Sequence, residues 1–488
     1  GEFALSLLLG LGFSLLAGWF PARDAARTPP AQILRRHAQT ALARLRWRPG
    51  CVLALVAVVA VLAPPLRWED SVMPLGGYVA TLATVFAAAA FVGPWLAGLA
   101  RLLRGRSANS APLRVALSQL RRPTVRHVIA AACLLSAVAM TGGMAVLVGS
   151  YDHTMRAWLN RTFLADLYIS SEGAQSASAT NRLRPETWQA IAHDPEVEDF
   201  YAVQMSPIVL AGRATLLAGA DLGFLARRVD MSWLHAPPPE FYDTARNEHL
   251  AVVSEAFLPR YRVKVGDEIA FPTPAGEQHV RIVGVFADYG NERGTLLIDR
   301  THYARWWGNE LIATITLKLR PGLDPNAVRA RLRQAHPELN IFTNRTLREQ
   351  AIRIFQETFA ITYALEIIGV AVAVTGLGLT LASIFLQRRG DLATLRALGW
   401  TPGEIARAAA IEGLLLSIVG LVAGLALSLL LGALLVFVIN KQTFGWTLEY
   451  HLPWSALALL SALVLASGAA TSFLIGRWAA RLPGDREE

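Results

Sequence analysis

The chain has 488 residues but only two cysteines, Cys51 and Cys133, and charged residues make up just 17% of it. Both cysteines stand near the start of hydrophobic runs, where a small buried apolar residue is a simpler interpretation than half of a disulfide. Soluble proteins carry about a quarter charged residues. The low share of charge therefore disfavours a soluble protein.

Motifs for nucleotide binding or catalysis are also missing. The sequence contains no GxxxxGK[ST] phosphate loop, no HExxH, no CxxC and no GxSxG. Each of these would place specific reactive or ligating groups together. Its ten histidines show no metal-ligand spacing. We therefore predict no metal, no cofactor and no enzyme activity, and any ATP would have to be bound by another chain.

Charge inside the hydrophobic runs is rare. Glu366 and Glu412 are the candidates, and two acids do not make the relay of a secondary transporter. We expect Glu412 to lie at the membrane interface, close to Arg407. This scarcity disfavours an ion or proton pathway through the chain.

Long hydrophobic runs are what the chain does have, since 53% of its residues are hydrophobic. A helix needs about 20 apolar residues to cross the roughly 30 Å of bilayer hydrocarbon. We predict seven spans, of which the second is short, at 3–20, 51–66, 77–100, 127–149, 359–386, 408–439 and 453–476. The sequence therefore indicates a multi-pass α-helical membrane protein.

The net charge of +9 is concentrated in arginine-rich segments that flank these runs. Segments 21–50, 101–126 and 387–407 are rich in Arg, whereas 67–77 and 440–453 are not. Arginine collects on the cytoplasmic side of membrane proteins. Seven spans then alternate without conflict and leave the C-terminus in the cytoplasm. This distribution explains the basic charge without nucleic-acid binding, which we do not predict.

The stretch between the fourth and fifth spans has the composition of a soluble domain. Helix signals occur at 184–195 and 324–337. Alternating β-branched residues bounded by Gly and Pro predict strands within 249–320. Residues 151–355 are therefore expected to form a large α+β extracytoplasmic domain of two subdomains.

The segment RRGDLATLRALGWTPGEIARA, residues 388–408, places leucines at helical spacing among arginines. Asp391 suits the start of a helix, and Gly399 and Pro402 break the helix after Leu398. We predict a cytoplasmic helix–turn–helix. Its apolar face either docks into a groove on a partner protein or anchors the loop at the membrane surface.

This segment resembles the signature of the FtsX/MacB/LolC-type ABC transporter permeases. In that family an Arg-rich span exit is followed by an acidic residue, Leu-Ala and Leu-Arg-Ala-Leu-Gly. The resemblance implies an ATPase-coupling role for Arg388, Arg389, Asp391, Leu392, Leu395, Arg396, Leu398, Gly399 and Ile405. The family often has Glu where this chain has Asp391, and Gly390 is a less usual neighbour.

Two further stretches extend the resemblance. Val265–Asp267 and the strand after it look like the periplasmic domain of such permeases, and 444–454 is similar to a long, ten-span Att-type subgroup. Residues 111–126 resemble the second cytoplasmic elbow of the fold. Its candidate residues, which either dock a partner or anchor the segment, are Leu113, Arg114, Leu117 and Leu120.

The resemblance implies a MacB/FtsX-like permease fold with five segments. These are the end of a preceding module (1–50), two linking spans (51–110), an elbow and first span (111–150), the MacB-like domain (151–355) and a three-span FtsX-like domain (356–488) with its coupling loop (387–407). Because the chain begins with Gly1 inside an apparent span, we expect it to be the C-terminal part of a longer protein.

The resemblance also implies a function. A permease of this family, in the bacterial inner membrane, would couple ATP hydrolysis by a cytoplasmic ABC ATPase dimer to movement of its periplasmic domain. The outcome would be export or extraction of a lipophilic, lipoprotein or peptide substrate. Expected partners are the ATPase, membrane lipids, a second permease chain (homodimer or heterodimer) or half-module, and a periplasmic protein. The alternative is a non-transporting regulator that activates a periplasmic enzyme or binds a periplasmic partner.

Overall fold

A computed structural model describes most of the chain. The described residues are 48–68, 71–102, 110–120, 125–171, 181–229, 231–387 and 394–479, with isolated positions between 11 and 23. The first predicted span, 3–20, therefore lies almost entirely outside the described residues.

The apolar part of the described chain is helical. They are α1 (Arg48–Val61), α2 (Leu75–Leu102), α3 (Ala111–Leu120), α4 (Val125–Thr162), α11 (Asn344–Gln387), α12 (Pro402–Ala433), a π-helical segment (Leu434–Asn440), α13 (Lys441–Phe444) and α14 (Trp454–Ala479). Helices α5 to α10 belong to the α+β domain. A two-stranded hairpin, β1 (Leu66–Trp68) with β2 (Ser71–Met73), joins α1 to α2.

Five helical stretches of the described chain are long and apolar enough to cross a membrane. They are Leu75–Leu96, His127–Thr162, Phe359–Gly376, Pro402–Phe444 and Trp454–Trp478. These stretches coincide with five of the seven predicted spans. The second predicted span corresponds to α1, which is apolar but shorter than a membrane crossing requires. The count of seven therefore stays a prediction.

The membrane part is held together by α4 and α12. Their apolar faces share one core cluster, to which α2 also contributes Val92 and Leu96. Helix α14 packs against α12, and α11 packs against both α4 and α14. The bundle is thus built around one central helix pair.

The described residues of the α+β domain form a ten-stranded sheet. Its further strands are β3 (Leu167–Ser171), β4 (Val197–Leu210), β5 (Arg213–Ala220), β6 (Trp233–His235), β7 (Leu250–Ser254), β8 (Glu268–Thr273), β9 (Gly276–Phe286), β10 (Thr295–Asp299), β11 (Thr314–Leu319) and β12 (Leu339–Thr343). They follow the order β12-β3-β11-β4-β5-β10-β7-β9-β6, with β8 paired to β9. All predicted strands are confirmed, but one continuous sheet joins the two predicted subdomains.

Six short helices cover this sheet. They are α5 (Pro185–Ala192), α6 (Leu222–Arg228), α7 (Phe241–Thr244), α8 (Phe257–Tyr261), α9 (Arg300–Trp307) and α10 (Pro325–Ala335). Because side chains alternate across a strand, the sheet has two faces. On one face, α5 and α10 pack over the β12 end and α8 and α9 over the centre. On the other face, α6 and α7 pack over β10 and β7.

The domain joins the bundle through its two longest helices. Helix α4 has 38 residues and α11 has 44, or about 57 and 66 Å at 1.5 Å per residue. Both lengths exceed the roughly 30 Å of bilayer hydrocarbon. The predicted spans 127–149 and 359–386 are therefore parts of longer rods that run into the α+β domain.

Candidate functional site: coupling elements at the two ends of the bundle

A tight turn separates the segment before α12 from α12 itself. Gly399 has a φ of +92°, a left-handed conformation that glycine adopts without strain. The Trp400 amide donates to the Leu395 carbonyl at 3.1 Å and the Gly399 amide to the Arg396 carbonyl at 2.9 Å. These bonds form a Schellman-type C-cap. The predicted break after Leu398 is confirmed.

Helix α12 then begins with a capping box. The Thr401 hydroxyl accepts from the Glu404 amide at 3.3 Å, and the Glu404 carboxylate accepts from the Thr401 amide at 2.9 Å. Pro402 occupies the first turn, where its missing N–H costs nothing. The turn and the following helix are thus fixed relative to each other by local bonds.

The described candidate coupling residues fall into three groups by exposure. Leu398 is 74% exposed, and Arg396 and Gly399 are exposed beside it. Leu395 is half-buried against the α4–α12 core. Ile405 is only 2% exposed inside that core, so it packs the bundle and does not form part of an exposed docking face. Arg388, Arg389, Asp391 and Leu392 lie outside the described residues.

The second elbow is α3, which packs against α12. Arg114 is exposed, Leu113 is half-buried and Leu117 is buried. The side chain of Leu120 lies outside the described part. Leu117 therefore holds α3 to the bundle, while Arg114 faces outward.

A buried polar pair lies near this end of the bundle. The His127 Nε2 and the Glu412 Oε1 are 2.9 Å apart, and both side chains are almost fully buried. They join the start of α4 to α12. Glu412 therefore faces the core of the bundle, and its position at the membrane interface stays a prediction.

Small residues bring α4 and α12 close together. Gly420, Gly424, Ser428 and Gly432 recur every four residues along α12. A Cβ at Gly424 would lie 2.7 Å from the Val138 Cβ, and one at Gly420 would lie 2.8 Å from the Leu134 Cδ2. Such small-residue faces let helix backbones approach closely in membranes. The two central helices therefore form one closely packed pair.

At the domain end, the two rods are joined to each other where they meet the α+β domain. The Asn344 side-chain amide donates to the Phe163 carbonyl at 2.7 Å and to the Ala165 carbonyl at 2.8 Å. The Arg348 guanidinium donates to the Phe163 carbonyl at 2.6 Å and to the Asn160 side chain at 2.8 Å. The end of α4 is thereby bonded to the start of α11.

The loop 445–453 between α13 and α14 docks on the α+β domain. The Glu255 carboxylate accepts from the Thr447 amide at 2.7 Å and from its hydroxyl at 2.6 Å. The Tyr289 hydroxyl donates to the Thr447 carbonyl at 2.9 Å. Burial, together with the nearby Glu255 and Glu449, raises the pKa of Tyr289 to about 12. A third connection therefore links bundle and domain.

The same loop also bonds to α4. The Glu449 amide donates to the Thr154 hydroxyl at 2.9 Å, and the His451 amide to the Ser150 hydroxyl at 2.9 Å. Sequence reasoning used 444–454 only as a subgroup resemblance and missed this docking. The sequence signal for this docking was the density of aromatic residues in a short loop. One of these residues, Trp446, is buried.

No group of three His, Cys, Asp or Glu side chains within the described ranges could hold a metal ion. The candidate site consists of two long helices, the contacts that join them beside the α+β domain, and a docked loop.

Two family models match the chain. Residues 128–335 match the MacB-like periplasmic core domain, and residues 364–483 match the FtsX-like permease C-terminal domain. The chain therefore carries an FtsX-like permease domain together with a MacB-like periplasmic core domain, a combination consistent with an FtsX/MacB-type ABC transporter permease. The resemblance drawn from the sequence is confirmed at this level.

A curated relative supports the same class. An uncharacterized ABC transporter permease protein of Mycobacterium tuberculosis is 28% identical over 493 aligned positions, which cover 97% of this chain and 57% of the relative. The chain thus spans little more than half the length of that relative.

Two solved structures are similar to part of the chain. The periplasmic region of MacB from Actinobacillus actinomycetemcomitans is 10% identical with a TM-score of 0.29, covering 40% of this chain and 95% of that one. The extracellular domain of the noncanonic ABC-type transporter YknZ from Gram-positive bacteria is 9% identical with a TM-score of 0.28, covering 36% and 98%.

Proposed function

We propose that the chain couples ATP hydrolysis by a separate cytoplasmic ABC ATPase to movement of its α+β domain. It would lie in the bacterial inner membrane, with the domain outside and the C-terminus in the cytoplasm, as the arginine distribution favours. The ATP would bind to the ATPase dimer. A second permease chain or half-module would complete the assembly.

The observation that carries this proposal is the continuity of α4 and α11. Each is one unbroken helix in the described structure, from the membrane bundle into the sheet domain. Interhelical packing makes such a pair stiff, and packed elements shift as units between discrete arrangements. A push at one end of α4 would therefore reach the clamp at Asn344 and Arg348.

The input would arrive at the exposed face of the turn before α12. Leu398 is the described leucine of that segment with the largest exposure, 74%. An exposed leucine flanked by arginine suits a groove with an apolar floor and an acidic rim. Because the Schellman turn and the capping box connect this segment to α12, a force on Leu398 reaches the central helix pair.

The test uses the chain produced together with its candidate partner, a cytoplasmic ABC ATPase. Leu398→Asp places a charge in the docking groove, and we expect at least a tenfold loss of copurified ATPase, with loss of any stimulation of its turnover. Leu323→Asp changes a 37% exposed leucine in the α+β domain and serves as the matched control. Unchanged binding and turnover in Leu398→Asp would refute the coupling assignment. Leu395→Asp is unsuitable because Leu395 also packs the core.

A further inference from the structure

A cavity of about 640 Å³ opens on the second face of the sheet. Its floor is formed by β3, β11, β4, β5 and β10, between the cluster under α6 and α7 and the cluster at the foot of α11. Pockets for small molecules are typically about 300–1,000 Å³ and mostly apolar. Apolar and aromatic side chains dominate this one, with Trp158, Phe163, Tyr201, Met205, Phe224 and Phe286 among them.

A short row of hydroxyl groups crosses the apolar floor. Ser170, Thr314 and Thr316 face the cavity from adjacent strands, since Thr314 pairs with Ser170. The Thr316 hydroxyl donates to the Tyr201 carbonyl at 3.3 Å. Ser170 is only 3% exposed, and its hydroxyl has no hydrogen-bond partner among the described residues. A buried hydroxyl left unpaired costs free energy, so an occupant that bonds to Ser170 would be favoured.

The charged groups around the cavity already have partners. Lys318 lies 3.1 Å from Asp166, and Arg228 lies 2.7 Å from Glu198. Asp288 accepts from the Thr295 hydroxyl at 2.8 Å and from the Gly290 amide at 2.9 Å. An ionised ligand would have to displace one of these bonds, whereas a neutral ligand would not.

The cavity wall includes both rods of the proposed coupling path. Trp158 lies near the end of α4, Phe163 directly follows that helix, and Leu347 lies near the start of α11. An occupant would therefore touch the two helices beside the clamp. A ligand changes a conformational equilibrium only through contacts that differ between states. The contacts of an occupant with Trp158, Phe163 and Leu347 would change when the rods move.

We propose that this cavity is a binding site for a neutral amphiphile, with an apolar body and one hydroxyl or amide group bonded to Ser170. The apolar body would fill the aromatic part of the cavity beside Trp158. The polar group would lie over the hydroxyl row of the floor. Binding itself is independent of the ATPase proposal, because every group involved lies in the α+β domain or in the helix ends beside it.

The experiment uses the full chain in lipid nanodiscs without an ATPase. The probe is a decanol that carries a diazirine on its alkyl chain, and mass spectrometry locates the photolabelled residues. We expect saturable labelling of cavity residues such as Trp158 and Met205. The matching diazirine alkane reports apolar binding alone, and the matching carboxylate reports the effect of charge, which we expect to weaken labelling.

Two variants test the contribution of the Ser170 hydroxyl separately from that of the cavity volume. Ser170→Ala should raise the concentration of alcohol for half-maximal labelling about fivefold, the effect of one hydrogen bond, and leave the alkane unchanged. Ser171→Ala is the control, because its hydroxyl is also unpaired but lies outside the cavity lining. Ala218→Phe, which adds a ring at the 5% exposed cavity floor, should abolish cavity labelling by both probes.

Three results would overturn the proposal. They are labelling confined to the membrane spans, equal alcohol binding in Ser170→Ala and Ser171→Ala, and stronger labelling by the carboxylate than by the alcohol. Because no ATPase is present, failure of this experiment leaves the coupling proposal standing. Loss of ATPase binding in Leu398→Asp would likewise not test ligand binding in the cavity.

Discussion

The carboxylate of Glu255 holds both hydrogen-bond donors of Thr447, the backbone amide at 2.7 Å and the hydroxyl at 2.6 Å. Glu255 follows strand β7 in the sheet domain, and Thr447 lies in the loop between α13 and α14. Glu255 is only 9% exposed. Hydrogen bonds to a carboxylate are stronger than hydrogen bonds between neutral groups. This contact fastens the membrane bundle to the domain at a point distant in sequence from the two rods.

Removing this carboxylate should free the loop. Glu255→Ala leaves the Thr447 amide without its acceptor, so we expect at least tenfold faster amide exchange at 445–450, measured by hydrogen–deuterium exchange and mass spectrometry. Thr447→Val removes the hydroxyl alone and should have a smaller effect. Glu277→Ala, at an exposed strand end, is the control. Equal exchange in all four proteins would show that the loop is held by other contacts.

The close approach of α4 and α12 predicts that Gly424 tolerates no side chain. A methyl group there would lie 2.7 Å from the Val138 Cβ and 3.0 Å from the Leu135 carbonyl oxygen. Overpacking of this kind costs about 1–3 kcal/mol, so Gly424→Ala should lower the thermal unfolding midpoint of the purified chain. Gly98→Ala adds the same methyl group where nothing lies within 4 Å and should not lower it. A midpoint for Gly424→Ala equal to that of the control would mean that the helices separate easily.

The buried Tyr289 predicts a specific loss of stability in alkali. Its pKa is raised from 10.0 to about 12 by burial and by the nearby Glu255 and Glu449. Between these two values the unfolded chain releases the phenolic proton while the folded chain keeps it. The unfolded state then binds fewer protons, so folding stability falls as pH rises through this window.

Tyr289→Phe has no such proton to lose. We expect the variant to be less stable than the original chain at pH 8, because it lacks the hydrogen bond to the Thr447 carbonyl. The difference should shrink as the pH rises from 10 towards 12. Thermal unfolding midpoints of both proteins across pH 8–11.5 provide the measurement. A difference that is constant with pH would contradict the raised pKa.

The sequence predicted the elements whose causes are local. The break after Leu398 follows from Gly399 and Pro402, and the strands follow from the alternation of β-branched residues. The length of the rods was underestimated because Asp152, Arg156 and Arg161 interrupt the hydrophobic run of α4 without interrupting its helix. A hydrophobic run ends at the membrane surface, whereas a helix continues for as long as its backbone hydrogen bonds do.

What the sequence could not supply are contacts between distant segments. Ile405 lies in the arginine-rich segment 387–407 and Glu412 follows it closely in sequence. Their positions around the axis of α12 nevertheless place both side chains in the core. The contact between Glu255 and Thr447 joins residues 192 positions apart. The cavity floor draws on strands from two separate stretches of the chain, β3 to β5 and β10 to β11. Such sites depend on sheet order and helix rotation, which no local pattern encodes.

The clamp at Asn344 provides the sharpest test of transmission along the rods. Its side-chain amide donates to two carbonyls, those of Phe163 and Ala165. Asn344→Asp keeps the size of the side chain but removes both donated hydrogens and sets a carboxylate against two carbonyl oxygens. The connection between α4 and α11 should therefore loosen, with faster amide exchange at 344–350.

If the rods transmit force, Asn344→Asp should separate binding from coupling. The ATPase should still copurify, because Leu398 at the opposite end is unchanged, but the effect of the chain on ATPase turnover should fall. Asn326→Asp, at the exposed start of α10, is the matched control and should change neither property. Normal turnover together with fast exchange at the clamp would mean that the rods move independently of it. Transmission would then have to pass through the docked loop at Thr447, which Glu255→Ala in the same assay would reveal.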